Sequence, residues 1–151
     1  MTQRVLFVCL GNICRFPSAE AVTRAFALGR DLTFDSAGTS GWHVGEPPYG
    51  EMQRAAKARG YDMSALRARQ FGPEDFDAFD LIVVMDAGNL KEVEALRPVT
   101  ASTPVVLFTD FSDADGRHAG ADHVPDPYYT RDFDGALDLI EDCARGLIAR
   151  L

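Results

Sequence analysis

Cys9 and Arg15 stand six residues apart in RVLFVCLGNICRFPSAE, Arg4 to Glu20, with Gly11 and Asn12 between them and Pro17 just beyond. A thiol is nucleophilic when ionised, and a guanidinium is a planar fork that can hold two phosphate oxygens at once. Backbone N–H groups around a glycine-containing loop can converge on an anion. A helix beginning near Pro17 would add its positive end. The same surroundings favour the thiolate of Cys9. A nucleophile and a cradle for a transferring phosphoryl group therefore share one short segment. The plain alternative is a buried strand residue followed by a solvated helix arginine; the strand before, Gly11 and Asn12 inside and Pro17 after favour the chemistry. No G-x-x-x-x-G-K-[ST] is present, so this is not a Walker-type nucleotide loop.

Strand and helix signals alternate around this segment. Arg4–Cys9, Leu32–Ala37, Leu81–Met85 and Pro104–Phe108 are short runs rich in β-branched and aromatic residues. The first, third and fourth are almost continuously apolar, as strands covered on both faces must be. Helical stretches follow each of them: PSAEAVTRAFALGR from Pro17, PPYGEMQRAAKARG from Pro47, AGNLKEVEAL before Pro98, and FDGALDLIEDCARGLIARL at the end. The last places Leu137, Ile140, Ala144, Leu147 and Ile148 on one face. This order predicts one α/β domain over residues 1–151: a doubly wound four-stranded parallel sheet with helices on both faces. Such sheets bind ligands beyond the carboxyl ends of their strands, where the Cys9 loop lies. Residues 110–130 form the one long loop, and long loops in compact domains are often functional.

The chain of 151 residues is long enough to bury a core without staples, and 46% of it is hydrophobic. A net charge of −8 argues against a nucleic-acid partner and means that positive potential for phosphate must be built locally. No apolar run reaches membrane-spanning length and no signal peptide is evident, so a cytoplasmic protein without a membrane partner is expected. Three cysteines fit a reducing compartment better than a disulfide framework. Neither they nor His43, His118 and His123 show zinc-site spacing; the histidines are read as structural or solvated, and no metal is expected.

VCLGNICRFPSAE, DSAGTSGWHVGEPP, RARQF, LIVVMDAGNL and VPDPYY, in that order from residue 4 to 130, together resemble the low-molecular-weight protein tyrosine phosphatase family. The resemblance implies hydrolysis of phosphotyrosine or small aryl phosphates without a cofactor, through a cysteinyl-phosphate, releasing inorganic phosphate. Cys9 would be the nucleophile. Arg15 and the amides of Leu10, Gly11, Asn12, Ile13, Cys14 and Arg15 would bind the phosphoryl oxygens. Asp126 in the D-P-Y-Y motif would protonate the leaving tyrosine oxygen and then act as base on water. By the same resemblance Asn12 pairs with Ser36 to hold the loop, and Trp42, Tyr128 and Tyr129 wall the cleft. Cys14 matches a second family cysteine that can trap the oxidised nucleophile as a disulfide, packing being its plain role. Trp42 could equally be core; Asp86 also matches the family pattern but reads first as a helix N-cap; and Cys143 reads as core on the last helix.

Two positions depart from the family. Phe16 replaces a serine whose hydroxyl donates to the cysteine sulfur, a loss that raises the thiol pKa and slows turnover; its alternative placement is outward, beside the cleft. Leu66 stands where many relatives carry a histidine, thinning the support of Asn12. Three competing functions keep the fold: an arsenate reductase, which needs relay cysteines beyond residue 14; a protein-arginine phosphatase, disfavoured by Ile13 in place of threonine; and a phosphate or phosphopeptide binder without turnover.

Overall fold

The run beginning at Arg4 becomes β1 (Gln3–Cys9), followed by β2 (Leu32–Gly38), β3 (Leu81–Val84) and β4 (Val105–Leu107). In this computed structural model, which describes residues 2–11, 13–113 and 115–151, all pairings are parallel and the order is β2-β1-β3-β4. Val5 to Cys9 and Leu81 to Val84 are buried without interruption, which is why those two central runs show no polar alternation.

Helices α1 (Arg15–Phe26), α2 (Gly50–Ala58), α4 (Ala87–Ala95) and α6 (Phe133–Arg150) match the four expected ones, and two short helices, α3 (Asp75–Ala78) and α5 (Pro127–Thr130), are added. Helix α6 packs against α1 and α2, while α4 packs against β3 and β4. The expected stripe on α6 is buried at Leu137, Ile140, Ala144 and Leu147, and Cys143 is core as expected. Each fully buried leucine or isoleucine there contributes roughly 1.5–3 kcal/mol. Among the described residues no helix is long and apolar enough to cross a membrane.

The element ends differ from expectation where backbone geometry intervenes. Helix α1 starts two residues before Pro17 and stops at Phe26, short of Gly29, whose φ of +85° breaks the helical path. The second helix starts at Gly50 rather than Pro47. The long loop is not featureless: it begins in a 3₁₀ turn, Phe108–Phe111, and ends in α5.

The strand order places the reversal of winding between β1 and β3, since β1 connects to β2 on one side and β3 to β4 on the other. The register pairs Val8 with Val84, so the carboxyl ends of the two central strands open together onto one crevice. Cys9 ends β1 there, and Asp86 follows β3.

Candidate active site

Cys9 is only 3% exposed, yet it lines a cleft with Leu10, Gly11, Ile13 and Cys14 as its floor. The loop after it is turned carbonyl-outward. The Cys9 carbonyl accepts from Thr39 N–H at 2.7 Å, the Leu10 carbonyl from Ser40 N–H at 2.9 Å, and the Ile13 carbonyl from Tyr49 N–H at 2.8 Å. Three of the loop's carbonyls are thus taken up by neighbouring segments. Cys14, at the N-cap of α1, makes no side-chain capping bond, so the first turn keeps donors for an anion. Asn12, part of the expected cradle and the expected partner of Ser36, lies outside the described residues.

Arg15 opens α1 and is 6% exposed in its side chain. Its Nη1 donates to Asp86 Oδ2 at 2.9 Å and to the Val124 carbonyl at 3.1 Å, and its Nη2 lies 3.9 Å from Asp126 Oδ2. The buried Nε has no hydrogen-bond partner among the described residues. Burial would lower the Arg15 pKa, but the pull of Cys9, Asp86 and Asp126 outweighs it and holds the guanidinium charged. Attraction between two groups acts on both, so Arg15 favours Cys9 as an anion.

Asp86 is the expected N-cap, its Oδ1 accepting from Asn89 N–H at 2.7 Å, but it is also the anchor of Arg15. Burial pushes its carboxyl up; the Asn89 amide, Arg15 and Gly88 more than reverse this, and its pKa falls below the usual range. The match of Asp86 to the family pattern did not name Arg15 as its partner, although a carboxylate just past the strand beside β1 at the reversal point was a usable signal.

Asp126 caps α5 by accepting from Tyr128 N–H at 3.1 Å, and its other oxygen faces Arg15. The segment is tied to the sheet through Val124 N–H, which donates to the Met85 carbonyl at 2.9 Å. The long loop therefore carries a carboxylate to the cleft. Trp42 is 76%, Tyr129 70% and Tyr128 41% exposed, and all three line the cleft. So much exposure rules out a core role for Trp42 and leaves its ring at the edge of the cleft.

His43, read as structural or solvated, lies beside the cleft. Its Nδ1 lies 2.6 Å from Glu46 Oε2, and its ring sits over Gly11, where an added Cβ would come 3.1 Å from His43 Cδ2. Adjacency to Trp42 was the available signal. His118 and His123 do not line this cleft. Phe16 does not swing outward: it is fully buried in the main core. Ser36 is buried and donates to Glu20 Oε1 at 2.8 Å, and Leu66 packs partly buried against the core. Cys14 is a buried thiol pushed up to about 12, by burial first and then by Asp126 and Cys9.

A thiol, a buried guanidinium and a carboxylate thus share one small cleft at the reversal point of a parallel sheet. The family model for low molecular weight phosphotyrosine protein phosphatase matches residues 4–151. The chain belongs to that family. It is accordingly a cysteine-dependent protein tyrosine phosphatase. It is 42% identical to a putative low molecular weight protein-tyrosine-phosphatase of Synechocystis, covering 99% of this chain and 96% of the other. It is 38% identical to the low molecular weight protein-tyrosine-phosphatase YfkJ of Bacillus subtilis, over 97% and 94%. The crystal structure of YfkJ superposes with a TM-score of 0.89 over 99% of this phosphatase and 94% of that chain. A product-state mimic of an Entamoeba histolytica protein tyrosine phosphatase, 34% identical over 98% and 94%, gives 0.87.

Proposed function

We propose that Cys9 attacks the phosphorus of a phosphotyrosine, so that a sulfur–phosphorus bond forms as the bond to the phenolic oxygen breaks. Asp126 gives its proton to that oxygen, which otherwise leaves as an anion of a phenol with pKa near 10. Arg15, with the loop amides from Leu10 to Arg15, holds the equatorial oxygens. In the second step Asp126, now a carboxylate, takes a proton from water. The new oxygen–phosphorus bond expels the Cys9 thiolate, and inorganic phosphate departs. Splitting the hydrolysis in two replaces one difficult displacement by two easier ones.

The observation that carries this reading is the position of Asp126 and Cys9 on one cleft with Arg15 reaching both. The lining supports an aromatic substrate side chain on a protein: Trp42, Tyr128 and Tyr129 offer flat faces at the rim, and Ile13 adds apolar surface below. That surface favours an aryl ester over phosphoarginine. Relay through a further cysteine, as arsenate reduction needs, is disfavoured because Cys143 is fully buried and its thiol is pushed up to about 12, chiefly by burial. The buried thiol and the acidic surface fit action in a reducing compartment on proteins rather than nucleic acids.

The test is hydrolysis of p-nitrophenyl phosphate with chelator present across pH 5 to 8. Wild type is expected to turn over, Cys9→Ser to be inactive, and Asp126→Asn to lose about 10²–10⁴-fold. Activity retained by Cys9→Ser, or removed by chelator, contradicts the proposal. Comparing phosphotyrosine with phosphoarginine decides the substrate class.

A further inference from the structure

Arg131, just past α5, is the one non-glycine residue with positive φ among those described, at +64°. The left-handed conformation costs an L-residue energy that glycine avoids, so the side chain at such a position calls for a reason. Its guanidinium supplies one. Nη1 donates to the Tyr49 hydroxyl at 2.9 Å, Nη2 pairs with Glu51, and the group lies 5.4 Å from the Tyr49 ring centre and 5.3 Å from that of Phe133. The two rings are themselves stacked at 6.1 Å.

Tyr49 is the other half of the device. Its N–H holds the Ile13 carbonyl on the back of the phosphate loop, and its ring meets Tyr128 edge-on at 5.3 Å. It also precedes α2 as its N-cap residue, with Glu51 in the first turn. One tyrosine therefore touches the cradle, the rim and, through Arg131, the end of the segment that begins at Asp126. The Arg131 N–H closes that segment on the Pro127 carbonyl at 2.9 Å.

We propose that Arg131 is a positioning residue for the general acid, a latch that fixes the Asp126 segment to α2 and so to the Cys9 loop through Tyr49. The inference rests on the roles of Cys9 and Asp126 given above. It is a local device: an exposed ion pair alone contributes little, but the hydrogen bond, the ring stack and the fixed backbone act on one residue together. Loss of the latch leaves the nucleophile and cradle in place and lets Asp126 stray from the leaving oxygen.

The experiment compares kcat/KM for phosphotyrosine, whose phenol needs a proton, with that for 2,4-dinitrophenyl phosphate, whose phenol leaves without one. Glycine adopts the left-handed backbone freely, so Arg131→Gly keeps the turn, with an unchanged melting profile as the check. Arg131→Gly is expected to lose about tenfold on phosphotyrosine and less than about threefold on the activated ester. Tyr49→Phe, which removes the hydroxyl acceptor, should show the same selectivity, the double variant being no worse than the poorer single one. Arg131→Lys should recover part of the loss, since an ammonium reaches the same acceptors but cannot stack as a plane. Equal losses on both esters, or none, overturn the latch. If Asp126→Asn shows the selective loss and Arg131→Gly does not, only the latch falls; if Asp126→Asn shows none, the acid assignment falls and takes the latch with it.

Discussion

Arg15 and Asp86 are joined at 2.9 Å across the reversal point of the sheet, one at the start of α1 and the other capping α4. One carboxylate thereby holds the Arg15 guanidinium at the cleft and closes a helix end. Asp86→Asn can still cap α4 through its amide oxygen but cannot accept both bonds as an anion. It should lose about tenfold in kcat/KM and, near neutral pH, roughly 1.5–3 kcal/mol of stability with the charge-assisted bond to Arg15, whereas Asp86→Ala should lose about 0.5–2 kcal/mol more with the cap. The folded pKa of Asp86 is lowered, so its stabilisation is present above about pH 4 and fades as pH falls through the folded value. Urea melts of wild type and Asp86→Asn should converge in that acidic range. Unchanged activity in both variants would show that Arg15 needs no anchor.

Phe16 allows the proposed cost of the missing hydroxyl to be weighed against packing. A serine here would restore a donor to the Cys9 sulfur, worth roughly 1.5–3 kcal/mol or about one to two powers of ten in turnover. Because Phe16 is fully buried, Phe16→Ser should at the same time lose about 3–5 kcal/mol of stability. Steady-state turnover well below the melting temperature, paired with thermal melts, separates the two effects. Unchanged turnover and an unchanged Cys9 pKa in a folded variant would refute the role given to the missing hydroxyl.

Glu20 on α1 and Ser36 on β2 form a buried polar pair, with the Ser36 hydroxyl 2.8 Å from Glu20. Burial raises the Glu20 pKa, against the lowering by Ser36 and Arg24. A carboxylic acid whose folded pKa is raised stabilises most below its unfolded value near 4.3, and that contribution is lost as pH rises through the folded value. The stability of Glu20→Gln relative to wild type should therefore improve from pH 4 to pH 7. Ser36→Ala, which strips a donor from a buried carboxyl, should lose about 1–3 kcal/mol. A pH-independent difference between wild type and Glu20→Gln would count against this account.

Trp42 is exposed enough to be replaced without disturbing the core. Trp42→Ala should raise KM for phosphotyrosine peptides by about 5–10-fold, the effect of roughly 1 kcal/mol of lost ring contact, with little change in inhibition by inorganic phosphate. Equal weakening of both would place Trp42 in support of the loop instead.

The sheet and its winding were legible because each depends on a local pattern, whereas the meeting of Asp126 with Cys9 and Arg15 on one cleft was expected only through the family resemblance. Apolar runs at β1 and β3 are continuous since both faces are covered, and the seventeen residues from Arg4 to Glu20 carry the strand-loop-helix context of Cys9. What stayed hidden depends on contacts between distant segments. Asp86 read as a cap because its neighbours in sequence explain it; only the adjacency of β1 and β3 reveals Arg15. His43 reached the cleft through the packing of its loop over Gly11, and Tyr49 with Arg131 is a pairing across 82 positions. Phe16 was misjudged in one of its two readings because helix phase decides whether a residue beside a loop points inward, and α1 begins earlier than Pro17 signalled.

The central claim is a bond between the Cys9 sulfur and phosphorus. It is tested most directly by acid-quenching the Asp126→Asn variant during turnover of p-nitrophenyl phosphate and mapping the phosphoryl group by mass spectrometry. The account predicts one phosphoryl group on the peptide containing Cys9, retained in Cys14→Ser and absent in Cys9→Ser. Turnover with no phosphorylated enzyme at any quench time, or phosphate found on another side chain, would contradict it.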